Sequence, residues 1–416
     1  MSEKRFNSRS TVLFWALALV CVGLLSANSI APTAAHGDTA QAGAPRNGDD
    51  TPTPTTTAAA TPSPTHTPTA TPTRTPTVTP TVTPTVTPTS TSTSKPPPKR
   101  VLLPVIGKKH EWQEVGNAPS GILFYEVAVC DRFALAAGNK GLYTSDNVES
   151  QTPTWAREDD AEDIGGGTEQ IVSGVTFVPD SDCETAYAAS RMTGVWHGHR
   201  DGNAWTWTSI TPPDTGLTGA YVVLVNGNKL YVAGSFGIAQ ASPLPQPNGT
   251  STWVKASTVN TTTFGLSISA RNSAIVHAAV FNRGVFDQSL SDERLWNPLP
   301  GPAIPNPLVY DAAANSNGTV VASYDLGLLR WSQSVWSPSS TSGSGTSFTV
   351  LAVGPRFYAA QEGSGVLLSI DDGQSWVPVG ELPATEGFFV RGLSLSDDGR
   401  LYAATSDGIW VWSQTP

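Results

Sequence analysis

Three carboxylates could take part in chemistry, because each follows a short strand-like run and precedes a glycine. They are Asp325, Glu362 and Asp407. Hydrolysis of a glycosidic bond needs two carboxyl groups that flank the bond, and these three are the candidates for such a pair. The sequence assigns a role to none of them, and it lacks the signatures of a P-loop, a nucleophile elbow and a zinc ribbon. No cofactor is expected, and a non-catalytic role is favoured over an enzymatic one.

Histidines and cysteines supply the remaining reactive groups. His197 and His199 alternate on a strand-like run, which places both on one side of the strand. A zinc site needs further ligands, and none lies nearby in the sequence, so no metal site is predicted. Cys130 and Cys183 form an even pair in a chain with export features, which favours a disulfide bond. Two buried free thiols are the alternative.

The charge balance narrows the range of partners. The chain has 24 Lys and Arg against 34 Asp and Glu, and residues 101–416 hold 16 of the former and 30 of the latter. This acidic balance disfavours nucleic acids and anionic membrane surfaces, and it is compatible with proteins, neutral glycans or cations. An acidic run at 158–163 leads into three glycines at 165–167. Its spacing matches no calcium loop, so a solvated acidic loop is favoured over a calcium site.

A glycine followed by an apolar residue recurs along the second part of the chain and sets the architecture. The seven anchor glycines are Gly141, Gly194, Gly237, Gly284, Gly327, Gly365 and Gly408. Their spacing averages about 44 residues, which is the period of a four-stranded propeller blade. Each anchor lies between two short β-rich runs, as the turn of a hairpin should.

Tryptophans follow most of the anchors and are expected to pack between neighbouring blades. The candidates are Trp155, Trp205 or Trp207, Trp253, Trp296, Trp336 and Trp376. Only eight residues follow Gly408, so the last blade lacks an outer strand, whereas the segment around Trp112 has no blade of its own. The sequence therefore predicts an all-β, seven-bladed β-propeller over 101–416, in which the N-terminal strand completes the last blade and removes the open edge.

One turn carries a specific motif. Residues 369–376 read Ser-Ile-Asp-Asp-Gly-Gln-Ser-Trp, with the fixed positions Ser369, Asp371, Gly373, Ser375 and Trp376. This motif resembles the Asp-box, or BNR repeat, of a propeller superfamily that includes sialidases and photosystem II assembly factors. The resemblance spans about 101–416 and is degraded in the other six blades, as at Ser145-Asp146. It implies that Asp371 caps a turn at the blade periphery and is structural.

Ligands usually bind propellers on the face that carries the loops between the second and third strands of each blade. That loop set contains Lys140, Arg191, Phe236, Arg283, Asp325, Glu362 and Asp407, whose charges vary in sign. Aromatic residues also recur at the start of the innermost strands, at Tyr125, Tyr221, Phe264, Tyr310, Phe348 and Phe389. They either ring the mouth of the central channel or pack between blades, and packing is favoured.

The N-terminal hundred residues indicate export. Basic residues in 1–10 precede an apolar run over 11–27, so residues 1–27 are predicted to be a signal peptide, or an uncleaved signal anchor. Residues 28–100, with a Thr-Pro tract at 51–94, are predicted to be a disordered linker that favours polyproline II conformation. A secreted or cell-surface location follows.

The sequence thus favours a monomeric, non-catalytic propeller that recognises a protein or a glycan at the cell surface. The resemblance to sialidases implies a glycoside hydrolase as the alternative, but the Arg-Ile-Pro signature and the arginine triad of that family are absent here. The resemblance to photosystem II assembly propellers implies a third possibility, an extracytoplasmic assembly factor. A membrane contact is expected only through an uncleaved N-terminal anchor.

Overall fold

The computed structural model describes residues 111–412, except 117, 119–120, 151, 159–163, 165–170, 213–215, 302–307, 326, 340–344 and 384–386. The predicted signal peptide, the Thr-Pro linker and most of the acidic run therefore lie outside the described residues. The described part belongs to one unit, Lys99–Pro416. Within it, no helix has the length and apolar character needed to cross a membrane.

Twenty-eight strands form seven antiparallel sheets of four strands each, which confirms the predicted seven-bladed β-propeller. The first strands of the blades line the central channel. They are β2 (Phe124–Cys130), β6 (Val172–Phe177), β10 (Ala220–Asn226), β14 (Thr263–Ile268), β18 (Val309–Ala314), β22 (Ser347–Val353) and β26 (Val390–Leu395). The second strands are β3 (Phe133–Gly138), β7 (Thr185–Ser190), β11 (Lys229–Gly234), β15 (Val276–Val280), β19 (Val320–Tyr324), β23 (Arg356–Gln361) and β27 (Leu401–Thr405).

The third strands all begin at a predicted anchor glycine. They are β4 (Gly141–Ser145), β8 (Gly194–Asp201), β12 (Gly237–Ser242), β16 (Gly284–Gln288), β20 (Gly327–Ser332), β24 (Gly365–Ser369) and β28 (Gly408–Trp412). All seven glycines have positive φ, between 71° and 119°. At Gly237 a Cβ would also stand 2.2 Å from the carbonyl oxygen of Val259, so both backbone conformation and space exclude a side chain there.

The outer strands are short, and the last blade takes its outer strand from the N-terminal side of the domain. They are β5 (Ala156–Arg157), β9 (Ala204–Ser209), β13 (Thr252–Lys255), β17 (Trp296–Pro298), β21 (Val335–Pro338), β25 (Val377–Pro378) and β1 (Trp112–Glu114). Strand β1 pairs with β28, with Trp112 opposite Trp412. This closure is the one predicted, and it pairs the sheet edge that would otherwise stay open.

The hydrophobic core is divided among the seven junctions between neighbouring blades. At the junction of the third and fourth blades, for example, Tyr231 meets Trp296 edge to face with ring centroids 6.5 Å apart. Trp296, Trp376, Trp205 and Trp207 are buried, whereas Trp155, Trp253 and Trp336 are partly buried and pack against these clusters. Each buried large side chain contributes about 1.5–3 kcal/mol, so the ring is held by its junctions.

The turn at 369–376 is saturated with internal hydrogen bonds. Asp371 Oδ1 accepts from the hydroxyl of Ser369 at 2.8 Å and from the backbone N–H of Ser375 at 2.9 Å. Its Oδ2 accepts from the hydroxyl of Ser375 at 2.5 Å. Partial burial acts to raise the pKa of Asp371, but these bonds together hold it below its usual value. The side chain is therefore committed to the turn.

The first blade contains a looser version of the same turn, and the sequence interpretation chose the wrong residue in it. Asn147, rather than Asp146, takes the place of Asp371. Its side-chain oxygen accepts from the hydroxyl of Ser145 at 3.2 Å and from the backbone N–H of Thr154 at 2.9 Å. Three extra residues separate Asn147 from Thr154-Trp155, compared with the spacing between Asp371 and Ser375-Trp376, and this insertion hides the motif in the sequence.

Candidate ligand-binding site

Each first strand interrupts its pairing with the second strand at one equivalent residue. The seven interrupted positions are Tyr125, Ser173, Tyr221, Phe264, Tyr310, Phe348 and Arg391. A β-bulge re-aims the side chain of the extra residue, and here all seven side chains line one cavity of about 310 Å³ at the channel. The repeat therefore builds a ring of seven equivalent positions around the mouth of the channel.

Aromatic side chains occupy most of this ring and touch in sequence. Their ring centroids lie 5.8 Å apart for Tyr221 and Phe264, 5.9 Å for Phe264 and Tyr310, and 5.3 Å for Tyr310 and Phe348. Phe348 continues the series to Phe389 at 5.8 Å. We call the set of Tyr125, Tyr221, Phe264, Tyr310, Phe348 and Phe389 the aromatic collar. All six are half-buried, so the collar packs against itself and also faces the channel mouth.

The residue equivalent to the aromatic in the last blade is Arg391, and the sequence interpretation placed Phe389 there. Arg391 lies 17 residues before its anchor glycine, as do Tyr310 and Phe348 before theirs, whereas Phe389 lies 19 residues before. The spacing to the anchor is the signal that would have identified Arg391. Phe389 precedes the strand and joins the collar from the side.

Two arginines fill the positions where the collar lacks an aromatic ring. Arg391 lies over Phe348 and Phe389, with its Cζ 4.1 Å and 4.9 Å from the ring centroids. The second blade has Ser173 at the bulge, and Arg191 from the neighbouring turn lies over the rings on either side. Its Cζ is 4.7 Å from the ring centroid of Tyr125 and 5.3 Å from that of Tyr221.

Neither arginine has a complete set of hydrogen-bond partners. The Nε atoms of Arg191 and Arg391 are buried and find no acceptor among the described residues. Burial is the main cause that lowers the pKa of Arg391, and the nearby charge of Arg191 lowers it further, while Tyr125, Tyr310 and Glu362 act in the opposite direction. The mouth thus concentrates positive charge in a partly dry aromatic setting.

Two carboxyl groups line the same cavity at the residue that follows the bulge, and sequence reasoning missed both. Glu126 Oε2 accepts from the backbone N–H of Val175 in the next blade at 3.0 Å. Asp311 Oδ2 likewise accepts from the N–H of Val350 at 3.0 Å. Burial raises the pKa of Glu126 to about 8 and that of Asp311 to about 7, and Asp311 adds to the shift of Glu126.

Glycine occupies the same post-bulge position where the next blade comes closest. A Cβ on Gly174 would stand 2.8 Å from the carbonyl oxygen of Tyr221, and one on Gly265 would stand 2.6 Å from Asp311 Oδ1. Blades therefore meet near the axis either through direct backbone contact or through a carboxyl group that bonds the neighbouring strand. This assigns Glu126 and Asp311 a role as links between blades.

The structure places the seven predicted face residues in the turns between second and third strands, and only one of them contacts the collar. Arg191 is that residue. Arg283 donates to the carbonyl oxygen of Thr258 at 2.9 Å and lies over Phe286, while Phe236 packs within the junction of its blade. Lys140 is exposed in its turn.

The three candidate carboxylates occupy three separate turns of consecutive blades. Asp325 is half-buried, and burial raises its pKa. Glu362 and Asp407 are exposed. No described contact joins any two of them, and the structure gives none of them a bonded partner that would orient it for acid–base chemistry. Their catalytic use stays a hypothesis that only turnover can test.

The predicted metal and disulfide residues fall on the second blade. His197 is buried against Tyr187 with ring centroids 5.5 Å apart, whereas His199 is exposed two residues further along β8. Burial, together with the nearby His199, lowers the pKa of His197. Cys130 and Cys183 form a disulfide bond with their Cα atoms 5.8 Å apart, which ties the first blade to the second.

No protein-family model and no curated protein matches the chain. Among solved structures, similarity extends to the extracellular domain of the putative hybrid two component system BT4673 from B. thetaiotaomicron, with 12% identity and a TM-score of 0.57. That match covers 74% of this chain and 40% of the other, so this chain spans about two fifths of the length of that domain.

Two further structures match over nearly their whole length. YCF48, solved bound to a D1 peptide, is 14% identical with a TM-score of 0.56, and the match covers 74% of this chain and 98% of that one. The WD40 β-propeller domain of Doa1 is 11% identical with a TM-score of 0.54 and coverages of 73% and 97%. At such low identity the likeness concerns the fold alone, and the chain is similar to these proteins as a seven-bladed β-propeller.

Proposed function

We propose that this chain is an exported, non-catalytic binding propeller that presents its channel mouth to a protein at the cell surface. The observation that carries the proposal is the aromatic collar with two arginines set into it. Aromatic side chains and arginine dominate the binding energy of protein interfaces, because they bury large areas and still offer polar contacts. A rigid ring that displays them at one opening has the form of a recognition surface.

Export is supported by the N-terminal sequence and by the disulfide bond. A basic segment followed by an apolar run and then a Thr-Pro tract is typical of a secreted or surface-displayed domain. Disulfide bonds persist mainly outside the cytoplasm, and Cys130 is bonded to Cys183 here. The Thr-Pro tract, at about 3.1 Å per residue in polyproline II conformation, would extend on the order of 130 Å and act as a spacer.

Propellers of this fold offer a precedent for peptide binding, since YCF48 has been solved with a D1 peptide. A glycan is the second candidate ligand, because half-exposed aromatic rings such as Tyr310 and Phe348 can stack on sugar faces. Hydrolysis of that glycan by Asp325, Glu362 or Asp407 would replace the binding hypothesis with an enzymatic one.

Site-specific photo-crosslinking tests the protein hypothesis. The full chain would carry benzoylphenylalanine at Phe389, next to Arg391, and in a matched control at Ile370, which is 74% exposed on the rim turn. We expect a discrete crosslinked protein from position 389 and none from position 370, when each chain is expressed with its own cell envelope.

Parallel exposure of the full chain to a glycan array, with product analysis, separates the alternatives. Saturable glycan binding without products, lost on Phe348→Ala, would support a lectin in place of a protein receptor. Products that disappear in Asp325→Asn, Glu362→Gln or Asp407→Asn would contradict the non-catalytic proposal. Equal crosslinking from positions 389 and 370 would contradict the use of the channel mouth.

A further inference from the structure

The two arginines of the collar are the polar groups of the described chain that most need an external partner. Both carry a permanent positive charge, and both have a buried Nε that finds no acceptor. A buried donor without a partner is costly, so such groups usually meet a ligand or water. Neither forms an ion pair with a described residue, in contrast to Lys229 with Glu293 or Arg400 with Asp398.

The surroundings of the pair restrict the ligand to an anion. Arg191 and Arg391 come from the second and seventh blades, which flank the first, and the positive charge of Arg191 acts on Arg391 at close range. An anion placed between them would relieve this repulsion and accept from both guanidinium groups. The aromatic faces already hold the two cations, which disfavours a cationic ligand on the same rings.

The walls of the cavity restrict the anion further. Tyr221 and Phe264 stack nearly parallel, with an interplanar angle of 16°, and the collar continues around a cavity of about 310 Å³. This volume is at the lower end for a small-molecule pocket. A strongly hydrated anion such as phosphate would gain little from these rings, whereas a planar apolar group would stack on them.

We propose that Arg191 and Arg391 bind the carboxylate of a ligand whose attached group is planar and apolar, and that the aromatic collar holds this group. The ligand is either a free aromatic acid or the carboxyl terminus of a chain that ends in an aromatic residue. This inference deepens the proposed function, on which it rests for the use of the channel mouth, by naming the chemistry that the mouth recognises.

Titration calorimetry on the full chain tests the proposal with benzoate as the first probe and neutral benzamide as its isosteric control. We expect benzoate to bind at one site and benzamide to bind at least tenfold more weakly. Acetate, which keeps the carboxylate and lacks the ring, should also bind at least tenfold more weakly than benzoate. Equal binding of benzoate and benzamide would overturn the anion site, and equal binding of acetate and benzoate would overturn the role of the collar.

Variants locate the site. Arg391→Met and Arg191→Met keep the apolar stem and remove the charge, and each should weaken benzoate binding at least tenfold. Arg283→Met is the matched control, because Arg283 lies on the same face but is engaged with Thr258 and Phe286. Unchanged affinity in both collar variants would contradict the assignment, and thermal melting of each variant shows whether it is folded.

Peptides separate the two sources of carboxylate. A short peptide ending in Phe with a free carboxyl terminus is compared with its amidated form. Binding of the free form alone, tighter than benzoate, assigns the site to a chain end, whereas tighter binding of benzoate assigns it to a small acid. If none of these carboxylates binds while crosslinking at Phe389 still captures a protein, this proposal fails and the proposed function stands.

Discussion

The rim turn at 369–376 and the channel mouth are both built from polar groups on the same repeat, yet they treat those groups in opposite ways. In the rim turn the carboxylate of Asp371 accepts from Ser369, Gln374 and Ser375. At the mouth the Nε atoms of Arg191 and Arg391 have no acceptor. Satisfied groups stabilise a fold, whereas unsatisfied groups at an opening indicate where a ligand belongs. The most recognisable motif of the chain is therefore its least informative part for function.

The aromatic residues of the two regions should give the largest difference. Trp376 is 6% exposed and packs against Phe357, whereas Phe348 is half-buried in the collar. We expect Trp376→Ala to lower the free energy of unfolding by about 3–5 kcal/mol and Phe348→Ala by about 1–2 kcal/mol. Chemical denaturation measures both. Similar losses would show that the collar is as structural as the rim.

The acids of the two regions should respond to pH in opposite directions. Glu126 has a folded pKa of about 8 against an ordinary value of 4.5, and Asp311 about 7 against 3.8. The folded chain keeps protons that the unfolded chain has released, so this contribution is full below about pH 4 and is lost as pH rises to about 8. The total is a few kcal/mol. Asp371 has a lowered pKa, so its contribution is lost only as pH falls through that value.

Urea denaturation at intervals from pH 5 to 8.5 measures this effect, with Glu126→Gln as the control. The glutamine stays uncharged and keeps an acceptor for the N–H of Val175, so the loss of stability above pH 7 should become smaller. A variant with the same pH profile as the natural chain would mean that Glu126 is ionised when folded.

Single polar substitutions should give the smallest effects and should sharpen the contrast most directly. Asp371→Ala removes the acceptor of the rim turn and should cost about 1–2 kcal/mol, because the turn is partly exposed. Arg391→Met removes an incompletely bonded charge and keeps the apolar stem, so the free energy of unfolding should change by less than about 0.5 kcal/mol. Thermal melting compares the two, and a larger loss for Arg391→Met would identify it as a structural residue.

Local repetition explains which parts of the fold could be predicted. The glycine at the start of each third strand, such as Gly237, must have positive φ, and this requirement recurs in every blade. The buried tryptophans and the closing strand at Trp112 follow from the same count. Arg391 was displaced by Phe389 because an aromatic residue was expected in every blade, although the distance to Gly408 favoured the arginine.

The sequence by itself determined the number of blades, the start of each third strand and the closure of the ring, because each depends on a pattern repeated within about 44 residues. Only the tertiary structure decided that Arg191 lies between rings of the first and third blades, and that Glu126 and Asp311 share one cavity. The physical reason is ring closure. It brings equivalent positions of all seven blades to one axis, where side chains that are distant in sequence shape each other's charge.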